Sequence, residues 1–144
     1  MEAVAAMPGP VGERNLYALH PRGQIWMQPE TREGLLEQMA AVLATGNRGV
    51  LQGMALPQGL PATIAASFAL EPDGPFAAAM VEGDASRIGA AMEAVAAMPG
   101  PIVSVHAAQK TAGGAYHLDW LLEEVSTSIN TTAAGGNASL MMIG

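Results

Sequence analysis

No cysteine occurs anywhere in the 144 residues of this chain, and that absence removes three kinds of chemistry. Disulfide cross-links cannot form, thiolate zinc sites cannot form, and no thiol nucleophile is available. Basic residues are scarce too: six Lys and Arg against thirteen Asp and Glu give a formal net charge of −7. The six are scattered along the chain, so no clustered cationic surface faces a phosphate backbone, which argues against nucleic acid as a partner. Aromatic residues make up only 4% of the chain. Its core must therefore come from small or flexible apolar side chains, Ala above all, with 10 Met among them. No apolar run reaches the roughly eighteen residues that a membrane-spanning helix needs. The first residues also lack the basic-then-apolar layout of a secretion signal. These absences predict a globular, cytoplasmic protein with no membrane span.

What is present reads as alternating strands and helices. Leu16 to Met27 predicts two short strands around a Pro21-Arg22-Gly23 turn. Thr31 is placed to cap a helix whose apolar positions Leu35, Leu36, Met39, Val42 and Leu43 follow the helical period, with Gly46 and Asn47 as its stop. Gly49 to Gly53 reads as a strand, and Leu60 to Leu70 as a second helix with Pro61 in its first turn. Phe76 to Val81 reads as a buried strand, while its Ala run equally suits a helix. Asp84 then caps a third helix, Ala85 to Met98, which carries Ile88, Ala91, Met92, Val95 and Ala96 inward. Pro99-Gly100-Pro101 ends it, and Ile102 to His106 forms the clearest strand. This alternation predicts an α/β fold with a small, largely parallel sheet and flanking helices. Residues 116–130 read as an extended β-flap of one or two strands, followed by a tail.

One decapeptide, Met-Glu-Ala-Val-Ala-Ala-Met-Pro-Gly-Pro, occurs twice, at Met1–Pro10 and Met92–Pro101. Both copies are expected to form a helix end that breaks sharply into the next strand.

Familiar catalytic patterns are missing. A Gly-x-Gly-x-x-Gly turn for a dinucleotide is absent, and Gly9 to Gly12 and Gly46 to Gly49 have the spacing of turns. No Ser-x-x-Lys, nucleophile elbow or phosphate loop occurs, and no metal site is expected. His20, His106 and His117 stand far apart with no ligand-spaced partner, which favours structural roles. His106, ending a strand where α/β sites open, holds some interest. Glu123 and Glu124 would point to opposite faces of a strand and so cannot pair for acid–base work.

The tail is distinctive. Ser126 to Gly144 packs hydroxyl and amide side chains around Gly135-Gly136 and ends on the apolar Leu140-Met-Met-Ile143. The run Asn130-Thr-Thr-Ala-Ala-Gly-Gly-Asn-Ala-Ser-Leu140 closely resembles the carboxyl terminus of the proline utilization A proteins. These are bifunctional flavoenzymes that oxidise proline and then the resulting glutamate semialdehyde. Pro8 to Asn15 resembles the stretch that opens a sheet in their aldehyde dehydrogenase-type domains, and Leu121 to Asn130 resembles their β-flap.

The resemblance implies a division into an aldehyde dehydrogenase-like α/β domain over 1–115, a Rossmann-like sheet that is incomplete here, a β-flap over 116–130 and a lid motif over 131–144. Longer family members carry an additional C-terminal domain of this kind that lacks catalytic apparatus and packs on the true dehydrogenase domain. The lack of Cys fits that domain, because the dehydrogenase reaction passes through a thiohemiacetal. The matching stretch is short for the whole additional domain. Asn130, Thr131, Thr132, Gly135, Gly136, Asn137, Ser139 and Leu140 are then the residues that cover the aldehyde site and seal the tunnel between the two active sites. No catalytic or cofactor-binding residue is expected in this chain, while FAD and NAD are implied for the full-length parent. The implied partners are the parent's proline dehydrogenase and aldehyde dehydrogenase domains, with a homo-oligomer formed through the flap. Two other readings stay open: the end of a working NAD-dependent dehydrogenase domain, and a free-standing small-molecule-binding α/β domain.

Overall fold

The computed structural model describes residues 4–10, 12–108 and 116–131. They fall into two compact units, one made from the described parts of Met1–His20 and Glu124–Gly144, the other from Pro21–Glu123.

The larger unit is a doubly wound α/β layer. Its strands are β3 (Gln24–Gln28), β4 (Arg48–Leu51), β5 (Phe68–Ala69), β6 (Phe76–Glu82) and β7 (Ser104–Ala108). They lie in the order β5-β4-β3-β6-β7, and every pairing is parallel. The expected α/β class and parallel sheet are therefore what the chain forms. Helix α1 (Arg32–Thr45) links β3 to β4, the short α2 (Ala62–Ala65) precedes β5, and α3 (Ala85–Ala96) links β6 to β7.

Strand alternation splits the apolar residues between two faces. Ile25, Met27, Leu51, Ala78 and Met80 meet Leu35, Met39 and Val42 of α1, together with Tyr116 and Leu121. Trp26 and Ala79 point the other way, onto Val95 of α3 with Met98 and Val105 around them. Burying Ile25, Met27, Leu51 and Met80, each about 1.5–3 kcal/mol, makes the α1 side the principal core.

Several boundaries differ from expectation. Thr31 does cap α1, its hydroxyl accepting from the Gly34 amide at 3.0 Å. Gly46 ends the helix in the left-handed region at φ 70°, which glycine adopts without penalty. Asn47 accepts from the Gly23 amide at 2.8 Å and donates to the Leu121 carbonyl at 2.8 Å, locking that end in place. Leu36 and Leu43, however, face solvent, and the buried stripe takes Gln38, Ala41 and Thr45 instead. The helix predicted over Leu60–Leu70 shrinks to four residues, because Phe68 leaves it to pair as a strand with Gly49 and is 7% exposed there. In α3, Met92 is exposed while Ala91 and Val95 are buried. The last strand begins at Ser104, two residues late, and leaves Ile102 98% exposed.

The smaller unit is a three-stranded sheet of order β1-β2-β8, from β1 (Val4–Met7), β2 (Glu13–Pro21) and β8 (Leu122–Asn130). β1 runs antiparallel to β2, Val4 opposite Ala18 and Met7 opposite Asn15. β8 contacts β2 through Ser128 with Glu13, and Glu124 hydrogen-bonds Tyr17. These contacts also run in opposite senses along the two strands. The expected flap over 116–130 thus contributes one strand, and a 3-10 turn, Leu118–Leu121, precedes it.

The duplicated decapeptide corrects the expectation most sharply. Val95 and Ala96 are helical, but the equivalent Val4 and Ala5 are strand. In α3 the copy extends a helix already running from Asp84, where adding a residue costs little. In β1 the run meets Pro8 directly, and β2 offers a ladder that satisfies the backbone groups of Val4–Met7.

Candidate functional site

Doubly wound sheets open their binding crevice where the winding reverses, beyond the carboxyl ends of the strands. Here the reversal lies between β3 and β6. Four residues beyond Gln28 the chain enters α1, so the amino end of α1 faces that crevice, and β6 delivers Glu82 to the same place. Glu82 is 7% exposed. One carboxylate oxygen accepts from the amides of Glu30 at 2.7 Å and Thr31 at 2.8 Å. The other accepts from the Thr31 hydroxyl at 2.5 Å. Gly34 comes so close that a β-carbon there would run into this carboxylate. Beside it, Asp84 caps α3 by accepting from the Arg87 amide at 2.9 Å, and the Arg87 guanidinium donates to the Pro29 carbonyl at 3.1 Å.

A groove of about 590 Å³ runs along the α3 side of the sheet, lined by Trp26, Val50, Gly53, Leu70, Phe76 and Met98 among others. It exists because residues 70–75, between β5 and β6, form a loop and lay no helix over this face. Gln52 stands at its end and accepts from the Trp26 indole at 3.0 Å. A free-standing small-molecule-binding domain would open its pocket at the strand ends, near Gly53 and His106. Gly53 does line the groove. His106 pairs with Met80 on the other face of the sheet, so the two do not share a pocket.

His106 and His117, remote in sequence, both stack on Trp120, at ring separations of 4.8 and 4.5 Å. Ser104 lies 3.0 Å from the His106 Nε2. Burial pushes the His106 pKa down, the Arg22 charge adds to this, and Asp119 opposes it. The arrangement is a packed aromatic stack rather than a ligand set, and among the described residues no cluster of His, Asp or Glu could hold a metal. Nothing in residue spacing signalled this convergence, which the 3-10 turn produces by bringing Trp120 onto β7. Of the expected lid residues, Asn130 ends β8 and Thr131 follows it, exposed, with its amide on the Gly12 carbonyl at 2.8 Å. Thr132, Gly135, Gly136, Asn137, Ser139 and Leu140 lie outside the described residues.

Glu82 is what sequence reasoning missed. It followed a buried strand and carried no motif, and only the return of β6 beside β3 brings it to α1.

No protein-family model matches the chain. Among curated proteins it is 52% identical over 150 residues to the bifunctional protein PutA of Rhizobium meliloti, covering 96% of this chain and 12% of that protein. It is 41% identical over 147 residues to the bifunctional protein PutA of Salmonella typhimurium, covering 96% and 11%. A proline utilization A structure from Bradyrhizobium japonicum matches with a TM-score of 0.53 at 25% identity, over 74% of this chain and 14% of that one. The chain thus spans only a small part of the relatives it resembles. With that likeness running through nearly all of its own length, the chain corresponds to one stretch of the bifunctional PutA proteins.

Proposed function

We propose that this chain is a non-catalytic C-terminal module of a bifunctional enzyme that takes proline to glutamate through pyrroline-5-carboxylate and its open semialdehyde. In this reading it packs on the aldehyde dehydrogenase domain of its parent polypeptide, and the tail from Asn130 to Leu140 covers that domain's substrate tunnel. The observation that carries it is a PutA-like sequence with no cysteine, which cannot form the thiohemiacetal of aldehyde oxidation. FAD and NAD then belong to other domains of the parent, and the whole works in the cytoplasm. No helix among the described residues is long and apolar enough to cross a membrane.

The module's contribution is shape. Hydroxyl, amide and glycine residues of the tail can hydrogen-bond across a polar cavity wall at close backbone approach. Closing that wall keeps a reactive aldehyde from leaking and excludes water. Among the described residues the three-stranded sheet has β1 and β8 as its edges, with Val4, Met7 and Ile129 exposed. Such edges seek partners, which supports oligomerisation through the flap. The test is a full-length parent lacking Thr131 to Gly144: coupled proline-to-glutamate flux falls while proline oxidation is spared. Unchanged coupled flux would overturn the reading.

A second reading rests on the 590 Å³ groove: a free-standing domain that binds a small apolar ligand beside Trp26. Saturable quenching of the indole fluorescence by such a ligand would support it, and its absence would remove it.

A further inference from the structure

The winding order of this sheet is the one in which doubly wound folds receive a dinucleotide, its phosphates resting on the amides at the start of the first helix. The residues present here do not fit that group. A phosphate seated there would place an anionic oxygen at the amides that open α1, and the protein already places one on the Glu30 and Thr31 amides just ahead of the helix. The Glu82 carboxylate holds the Glu30 and Thr31 amides and the Thr31 hydroxyl, all within 2.8 Å. Thr31 in turn accepts from the Gly34 amide, so the carboxylate, the capping residue and the first turn of α1 form one connected set.

Three independent features converge on this occupancy. The position is the switch point of the strand order. The space next to the first turn is filled, since even a methyl group on Gly34 would strike the carboxylate. The second helix amino end at the crevice, that of α3, is satisfied by Asp84. An incoming phosphate would have to displace a buried carboxylate from charge-assisted hydrogen bonds, and would meet its negative charge at close range.

We infer that Glu82 is a resident anion that closes the phosphate seat of this sheet, so that a fold wound for nucleotides admits neither the diphosphate of a dinucleotide nor free phosphate. Its carboxylate takes the favourable place at the positive end of the α1 dipole and ties β6 to the loop after β3. Glu82 can do this whether or not the tail covers a tunnel, and the two ideas fail separately.

The test uses the 144-residue chain, with inorganic phosphate and pyrophosphate as probes. In the wild type, the Glu30 and Thr31 amide resonances stay in place through a phosphate titration, and the melting temperature does not respond beyond a matched chloride control. In Glu82→Ala the carboxylate is gone and the Glu30 and Thr31 amides lose the acceptor it supplied. Both probes then shift those two resonances saturably, and the melting temperature climbs with probe concentration by mass action. Glu82→Gln, which keeps the volume, remains closed. Saturable movement of the Glu30 and Thr31 amides in the wild type would overturn the inference, as would a folded Glu82→Ala indifferent to both probes. The wild-type arm decides alone if the alanine variant does not fold.

Discussion

At the scale of single residues, buried polar groups set the sharpest expectations. Gln38 is fully buried in α1 and donates to the Tyr116 hydroxyl at 2.8 Å, while its own oxygen has no partner among the described residues. Burial pushes the Tyr116 pKa up to about 12, with the Gln38 bond pulling against it and the Glu82 and Glu37 charges adding to it. Tyr116→Phe strands the amide donor and should cost about 1–3 kcal/mol. Pairing it with Gln38→Leu should recover most of that loss in urea unfolding, because an apolar pair leaves nothing unsatisfied. A double variant as unstable as the sum of its parts would contradict this view of the core. His106 gives a pH signature. Its folded pKa lies below the ordinary 6.5 because burial, and then Arg22, disfavour the charged ring. As pH falls below about 6.5 the unfolded chain takes up the proton first, so stability present above that value drains away through the folded pKa. Equilibrium unfolding across that window should show His106→Gln flattening the decline. A variant with the wild-type slope would place the titration elsewhere.

At the scale of elements, what could be read from sequence and what could not divide along a physical line. Caps were legible because they are local: Thr31, Gly46 and Asp84 act on backbone groups within a few residues. The parallel sheet was legible from the alternation of strand and helix signals. Choices decided by distant partners were not. The decapeptide proves the point, since identical residues become helix behind Asp84 and strand beside β2. Phe68 is a second case. Its ring is buried by β4 and the apolar core, and this draws it out of the predicted helix. Phe68→Ala should therefore cost about 3–5 kcal/mol in chemical denaturation, far more than a frayed helix end would, and a loss below 1 kcal/mol would show that β5 is incidental. The site followed the same rule. Asn130 and Thr131 were named from the tail's resemblance to the proline utilization A terminus, whereas Glu82 became visible only once β6 lay beside β3.

At the scale of the whole molecule, the account joins a PutA-like sequence, a thiol-free chain and a sheet whose phosphate seat is filled from within. In the proposed reading, such a domain serves its parent by packing and covering. If the flap sheet mediates assembly, Val4→Lys with Met7→Lys on its exposed edge should shift sedimentation toward a smaller species by placing charge on the strand. An unchanged species would move the interface elsewhere. The most direct measurement of the central claim is coupled proline-to-glutamate flux in the full-length parent with Thr131 to Gly144 removed, set against its proline oxidation rate. The account predicts that coupled flux drops several-fold and semialdehyde escapes to solution while proline oxidation holds. Equal coupled flux with no escaping intermediate would contradict it.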